Sequence, residues 1–425
     1  FSNPEGSNPN DLETYIYSAD RIADIGDLSD LQVGLANFAP ATKLQSIILG
    51  SSEEGYVNQK LESLALGSNK LLTYLNVENC IALSDPINAS ECTGLETVKA
   101  KGSKLTGITF PNGGHLKWVE LPETLANLEI LNQKNIQVLD IEGYDNISTI
   151  HIENTPNIDL ETIINSSPNL SRVRLVKMEW EASNETTLRN TITKLEKCIG
   201  IDANGIETSK AVVTGRVYVD SITDAFLEEI NDNFPELIVV AGGKAKFFVR
   251  YLNYDNTLLY RYIAEEGTAA IDPVALDLID EPTRPDTETA KYKYQGWKDL
   301  PAEVIKPYNI IAKYYSSYRV DFMNENATMI LNSQWIDEGK GAVEPVSAGY
   351  IAEPTKPATD QFEYKFSKWD LPFDNITGPL ELYPVFEEIL RDYPVYFYND
   401  QQKLQEGRVY YGEYASYLGD TTQIY

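Results

Sequence analysis

Apolar residues in the first half of the chain recur as Leu-x-x-Leu-x-Leu triplets, and few folds can use that pattern. From Leu44 onward they are Leu61/Leu64/Leu66, Leu72/Leu75/Val77, Leu95/Val98/Ala100, Leu105/Ile108/Phe110, Leu116/Val119/Leu121, Leu125/Leu128/Ile130, Ile136/Leu139/Ile141, Ile147/Ile150/Ile152 and Leu170/Val173/Leu175. Successive starts lie 11, 23, 10, 11, 9, 11, 11 and 23 residues apart. The half-period is therefore about 11 and the full coil about 22, inside the range of roughly 20–29 residues for stacked leucine-rich units. The last two apolar positions of each triplet are separated by one residue, so both point inward from a short strand. The first turns in from the preceding bend. Asn69, Asn79, Gly102 and Gly143 follow the triplets, where the chain must bend and satisfy its backbone groups. No coil this small buries its own apolar edge, so stacking has to supply the neighbour. A solenoid is expected over 44–198, with an N-terminal cap or linker over 1–43 marked by weaker helical signals at Leu28, Leu31 and Leu35.

After Leu175 the period stops. The spacing predicts a helix over 180–197, with Leu188, Ile192 and Leu195 on one face, then a strand over 211–219. A helix over 223–230, N-capped by Thr223 or Asp224, and a strand over 237–240 follow. An exposed solenoid end needs such an α/β cap, placed at 199–243.

The second half says one thing twice. Glu281-Pro-Thr-Arg-Pro, Tyr292-Lys-Tyr and Gly296-Trp297 recur 72 positions later as Glu353-Pro-Thr-Lys-Pro, Tyr364-Lys-Phe and Lys368-Trp369. Val249, Tyr251 and Asn253 likewise align with Val320, Phe322 and Asn324. The reading is a module over 244–316, a second over 317–391 and an incomplete third over 392–425, which lacks its Pro-rich and Trp half. That unfinished copy, and a start at Phe1 without Met, point to a longer parent polypeptide. Trp297 and Trp369 read as core anchors of modules of about 70 residues, which need bulky aromatics to bury enough area. A sugar-stacking role is the alternative.

Composition excludes several functions. A net charge of −29 opposes a nucleic-acid partner, because phosphate binding needs concentrated Lys and Arg. Cys80, Cys92 and Cys198 form an odd set with neither a disulfide framework nor metal spacing. His115 and His151, both in strand-like runs, are the only histidines, too few for a His-dependent hydrolase or a His-rich metal site. No apolar run reaches the roughly 18 residues that span a bilayer. Phosphate-binding, dinucleotide, nucleophile-elbow and zincin motifs are absent. No catalytic, cofactor or metal residue is expected, and no enzymatic activity. Asp20, Asp24, Asp27 and Asp30, at helical spacing, read as a solvated acidic face, with a cation site as the weaker alternative.

Two resemblances become specific at particular phrases. Residues 105–113, Leu-Thr-Gly-Ile-Thr-Phe-Pro-Asn-Gly, resemble the strand-and-turn unit of leucine-rich repeats in BspA-like surface proteins. The run from Leu105 through Glu142-Gly-Tyr144 to Pro156 is similar to leucine-rich segments of large virion proteins from gut bacteriophages. The tandem modules resemble the B repeat of internalin-type proteins, a small ubiquitin-like β-grasp unit. The resemblances imply a β-rich α+β fold: a leucine-rich-repeat solenoid with an α/β C-terminal cap, then tandem β-grasp-like modules.

The implied function is non-enzymatic. It is a structural or host-attachment component on the surface of a tailed-phage virion. A bacterial cell-surface adhesin and the non-catalytic part of a secreted hydrolase are the alternatives. Implied partners are other virion or surface proteins, further copies of the chain, and a host-surface protein or glycan. Polar positions between triplets would form the contact surface, including Glu62, Thr73, Glu96, Asn127 and Gln137. Lys117, Trp118, Thr149, Arg172 and Arg174 are singled out. Trp118 is the leading contact residue; packing against a neighbouring coil or a flanking domain is the competing reading.

Overall fold

The computed structural model describes residues 21–30 and 33–420. Two compact units emerge. One takes the described residues up to 250 together with 261–270 and 301–309, the other 251–260, 271–300 and the described residues from 310 onward.

The first unit opens with a series of short strands, most of them at the triplets. They are β1 (Leu35–Asn37), β2 (Ser46–Ile48), β3 (Ser63–Ala65), β4 (Tyr74–Asn76), β5 (Ile87–Asn88) and β6 (Thr97–Lys99). β7 (Ile108–Thr109), β8 (Trp118–Leu121), β9 (Asn127–Leu131), β10 (Val138–Ile141) and β11 (Thr149–Glu153) continue the series. Where these strands pair with one another they do so in parallel and skip one strand each time. β2-β4-β6-β8-β10 make a five-stranded sheet, while β1-β3, β5-β7 and β9-β11 take the alternate triplets. Ile47, Leu75, Val98 and Val119 lie in register on successive strands of the five-stranded sheet and are fully buried. Removing a side chain of that kind from water contributes about 1.5–3 kcal/mol.

The expected leucine-rich-repeat solenoid closed by a separate cap is corrected by this arrangement. A leucine-rich repeat places one strand per period in a single stack. Here triplets spaced by the half-period go to different sheets, and the described residues form several sheets with only three short helices. The cap strands are not separate either. β12 (Arg172–Glu181) pairs both β11 and β15 (Val212–Val219), so the repeat strands run directly into the following sheet. The intervals of 23 residues conceal two elements. One is β5, carried by Leu83, Ile87 and Ala89 at a spacing one residue too long for the triplet. The other is α1 (Leu160–Ser166), capped by Asp159, whose side chain accepts from Thr162 N at 3.0 Å.

The helix expected over 180–197 starts later. Trp180 belongs to β12, and α2 (Glu185–Glu196) begins where the Asn184 side chain accepts from Thr187 N. β13 (Ile199–Ile201) and β14 (Glu207–Thr208) precede β15; α3 (Asp224–Asn233), β16 (Leu237–Ala241), β17 (Lys244–Leu252) and β18 (Leu258–Glu265) follow. The sheet order is β14-β13-β12-β15-β16-β17. Asp24, Asp27 and Asp30 lie outside any helix: Asp24 and Asp27 each accept a backbone N–H two residues on, which closes turns and removes the acidic helical face. Asp20 and Leu31 fall outside the described residues. His115 precedes β8 rather than lying on a strand.

In the second unit β19 (Ala290–Trp297), β20 (Tyr308–Met323) and β21 (Ile330–Asp337) are joined by β22 (Phe362–Trp369), β23 (Leu380–Leu382) and β24 (Pro384–Leu390). β25 (Asp392–Asn399) and β26 (Gln402–Tyr410) form a closing hairpin. Antiparallel β19 and β21, and parallel β23, all pair with β20, so one continuous strand serves both full modules with no linker. The duplicated sequence folds to duplicated contacts. Trp297 Nε1 donates to Asp272 at 2.9 Å and Trp369 Nε1 to Glu344 at 2.8 Å. Tyr251 meets Trp297 edge-on at 4.7 Å between centroids, and Phe322 meets Trp369 at 4.8 Å. Arg284 stacks over Tyr292, and Lys356 over Tyr364. The β-grasp expectation is also corrected, because a β-grasp packs a helix on its sheet. All three helices among the described residues end before the modules begin, and 273–277 between hairpin and aromatic strand are turns.

Burial raises the Glu344 carboxyl, but hydrogen bonds from Ser347 and Trp369 outweigh it and hold the group below the usual carboxylate range. A depressed folded-state value means stability that is present above the unfolded value, about 4.3, and is lost as pH falls through the folded one. Glu344→Gln is therefore expected to flatten the acid limb of the second unit's unfolding, measured by urea titration between pH 7 and 3. Burial pushes the Cys80 thiol up to about 12, and Cys92 and Cys198 are also raised and buried. A thiol-specific reagent at pH 7.5 should label none of the three in the folded chain and all three in denaturant.

Candidate functional site

Inward leucines leave the alternate strand positions facing out, and the parallel register aligns them into rows. On the five-stranded sheet the first row is Ser46, Tyr74, Thr97, Trp118 and Val138; the second is Ile48, Asn76, Lys99, Glu120 and Asp140. Trp118 is 42% exposed, and β6 and β10 flank its strand. Each nearby lysine bridges to a carboxylate of another coil. Lys117 Nζ lies 2.8 Å from Glu96, Lys99 lies 3.7 Å from Glu120, and Lys101 pairs with Asp140. The amine of Lys101 is held above its usual range, chiefly by the hydrogen bond to Asp140.

The second face lies on β9-β11-β12. Asn127, Thr149 and Arg172 share one row, and Glu129, His151 and Arg174 the next. His151 Nδ1 is 3.1 Å from Glu129 and Nε2 is 2.8 Å from Glu153; Arg174 Nε donates to the same Glu153 at 2.6 Å. Burial raises the Glu153 carboxyl, yet hydrogen bonds from His151 and Arg174 prevail and hold it low. Arg172 instead reaches Glu207 at 2.7 Å.

The singled-out residues thus divide between two sheets. Lys117 adjoins Trp118 on one; Thr149, Arg172 and Arg174 sit together on the other. Tyr74, Lys99, Glu120, Asp140, His151 and Glu153 completing these faces were not picked out from the sequence. Their signal was available: each occupies the outward position between or beside a triplet's inward pair, and rows repeat at the full period.

Two open depressions also mark the first unit. One of about 470 Å³ lies beside α1 and α2, with Asn165, Lys194 and Lys197 on its wall. Another of about 520 Å³ is walled by Asp224, Glu228, Phe248, Arg261 and Tyr262. Glu228 is tied there to Arg250 at 2.9 Å and to Arg261. Among the described residues no group of three or more His, Cys, Asp or Glu side chains could hold a metal ion, and no helix is long and apolar enough to cross a membrane. The chain matches no protein-family model and no curated protein in sequence.

Arg174→Ala removes a charged donor from a half-buried carboxylate and leaves Glu153 to His151 alone. The expected cost is about 2 kcal/mol at pH 7, read by urea denaturation, with Arg174→Lys recovering part of it.

Proposed function

We propose that this chain is a non-enzymatic structural and attachment protein, a surface component of a tailed-bacteriophage virion. The observation that carries the reading is the second unit, where two copies of one module reuse the same Trp–carboxylate and ring contacts around a shared strand, β20. Copied modules joined without a linker add length and rigidity to a chain, and the repeated Trp297 and Trp369 are committed to ring and carboxylate contacts within their modules. The rows of outward side chains on the first unit then serve as its contact surface, rigid because every strand beneath is paired. The phrases over 105–156 that resemble virion proteins favour a particle over a cell envelope. Acidity of −29 suits a component held at high local concentration, where like charge opposes aggregation.

The same order of modules fits a bacterial surface adhesin, and localisation separates the two. Mass spectrometry of density-purified particles, against envelopes of uninfected cells from the same culture, should find the chain enriched in the particles. Enrichment in the uninfected envelopes would replace the phage reading with the adhesin.

A further inference from the structure

We propose that the outer face of the β2-β4-β6-β8-β10 sheet binds a neutral linear glycan, with Trp118 and Tyr74 as its stacking platforms. This names the ligand class of the attachment surface above and rests on that reading. Three observations carry it.

The first is geometry. Tyr74, Thr97 and Trp118 stand directly opposite one another on β4, β6 and β8. Tyr74 and Trp118 therefore leave the sheet two strand spacings apart, about 10 Å, which is the length of a disaccharide in an extended chain. The short Thr97 between them keeps the path low and offers a hydroxyl. An aromatic on a fully paired sheet is already ordered, so stacking a sugar on it loses little entropy.

The second is charge. On a chain of −29, the amines of Lys99, Lys101 and Lys117 are each matched by a carboxylate, Glu120, Asp140 and Glu96. An anion would have to strip a lysine from its partner, and a cation would have to strip a carboxylate. Sugar hydroxyls can donate to the carboxylates and accept from the ammonium groups while the pairs stay intact.

The third is size. Five strands of three or four residues span about 24 Å by 13 Å, roughly 300 Å², whereas a folded protein partner usually covers about 800 Å² a side. A single oligosaccharide fits that footprint.

The test is calorimetric titration of the chain with cellohexaose, mannohexaose and chitohexaose, with an oligogalacturonate as acidic control. At least one neutral hexasaccharide should bind, its disaccharide more weakly and the acidic oligomer not at all. Trp118→Ala should weaken binding at least about tenfold, as for a central aromatic contact; Tyr74→Ala should weaken it less. Trp335→Ala, which removes an exposed tryptophan of the second unit, should leave binding unchanged. Circular dichroism of each variant checks that the sheet is intact. Absence of binding by all three neutral oligomers, tighter binding of the acidic one, or full affinity in Trp118→Ala overturns the proposal. Particle localisation is measured separately, so a chain found in virions that ignores these sugars retains the structural role and loses only the glycan.

Discussion

The first unit depends on a register between strands one full period apart. Backbone groups of β4 bond to those of β2 and β6, while the inward Ile47, Leu75 and Val98 stack behind them. The two requirements reinforce each other. A slip by one residue would turn a column of leucines and valines outward and place Lys99 or Glu120 inside. Turns between strands have to fit the same spacing, and asparagine is used for this. Asn79, Asn132 and Asn154 take left-handed backbone angles, and Asn154 donates to Asn132, which donates to Asn112, along successive turns. Gly102 has φ +69, and a Cβ there would fall 2.1 Å from Asn79 Oδ1, so the turns are stacked as tightly as the strands.

Much of this was legible, but one level of it was misread. Apolar periodicity located nine triplets and every one became a strand, because inward pairs separated by one residue have a single extended solution. What periodicity does not carry is the partner. Strands 11 residues apart and strands 22 apart leave similar traces in the sequence, and the shorter step was not recognised as a change of sheet. The helix α1 escaped for a related reason. Leu160, Ile163 and Ile164 replace the next triplet at helical spacing, and only Asp159 marked a new start. Helical spacing after Trp180 extends the expected helix back to it, whereas its burial belongs to the long strand β12.

In the second unit the sequence repeat was a reliable guide to packing and a poor one to fold name. The 72-residue offset predicted matching cores, and the Trp–carboxylate bonds agree to within 0.1 Å between copies. Small modules have little apolar area, so a buried Trp whose indole N–H is satisfied can dominate their stability. In the third hairpin Val395 and Phe397, in the positions of the fully buried Val320 and Phe322, are half-buried, and Phe397 meets Tyr417 at 5.5 Å between ring centroids. The helix implied by family likeness is opposed by prolines, since Pro273, Pro282 and Pro285 punctuate the segment after the first hairpin and Pro345, Pro354 and Pro357 the segment after the second.

Charge accounts for why the candidate face lies where it does. Rows of like charge along a parallel sheet would repel at a spacing of about 4.8 Å, and a chain with nearly twice as many acids as bases cannot neutralise every row. On the five-stranded sheet each lysine is nevertheless set against an acid of another coil, while Trp118 occupies the row beside them. Exposed ion pairs of this kind add little stability, about 0–1 kcal/mol each, so folding alone does not require the arrangement. Their effect is on the surface: the pairs tie up the long side chains beside an exposed aromatic and match each lysine with a carboxylate. The second face differs, because there the acids close around His151 and Arg174 and the polar groups are used up within the sheet. Of the two outward faces, the one carrying Trp118 retains both an uncovered ring and polar atoms able to exchange water for a ligand.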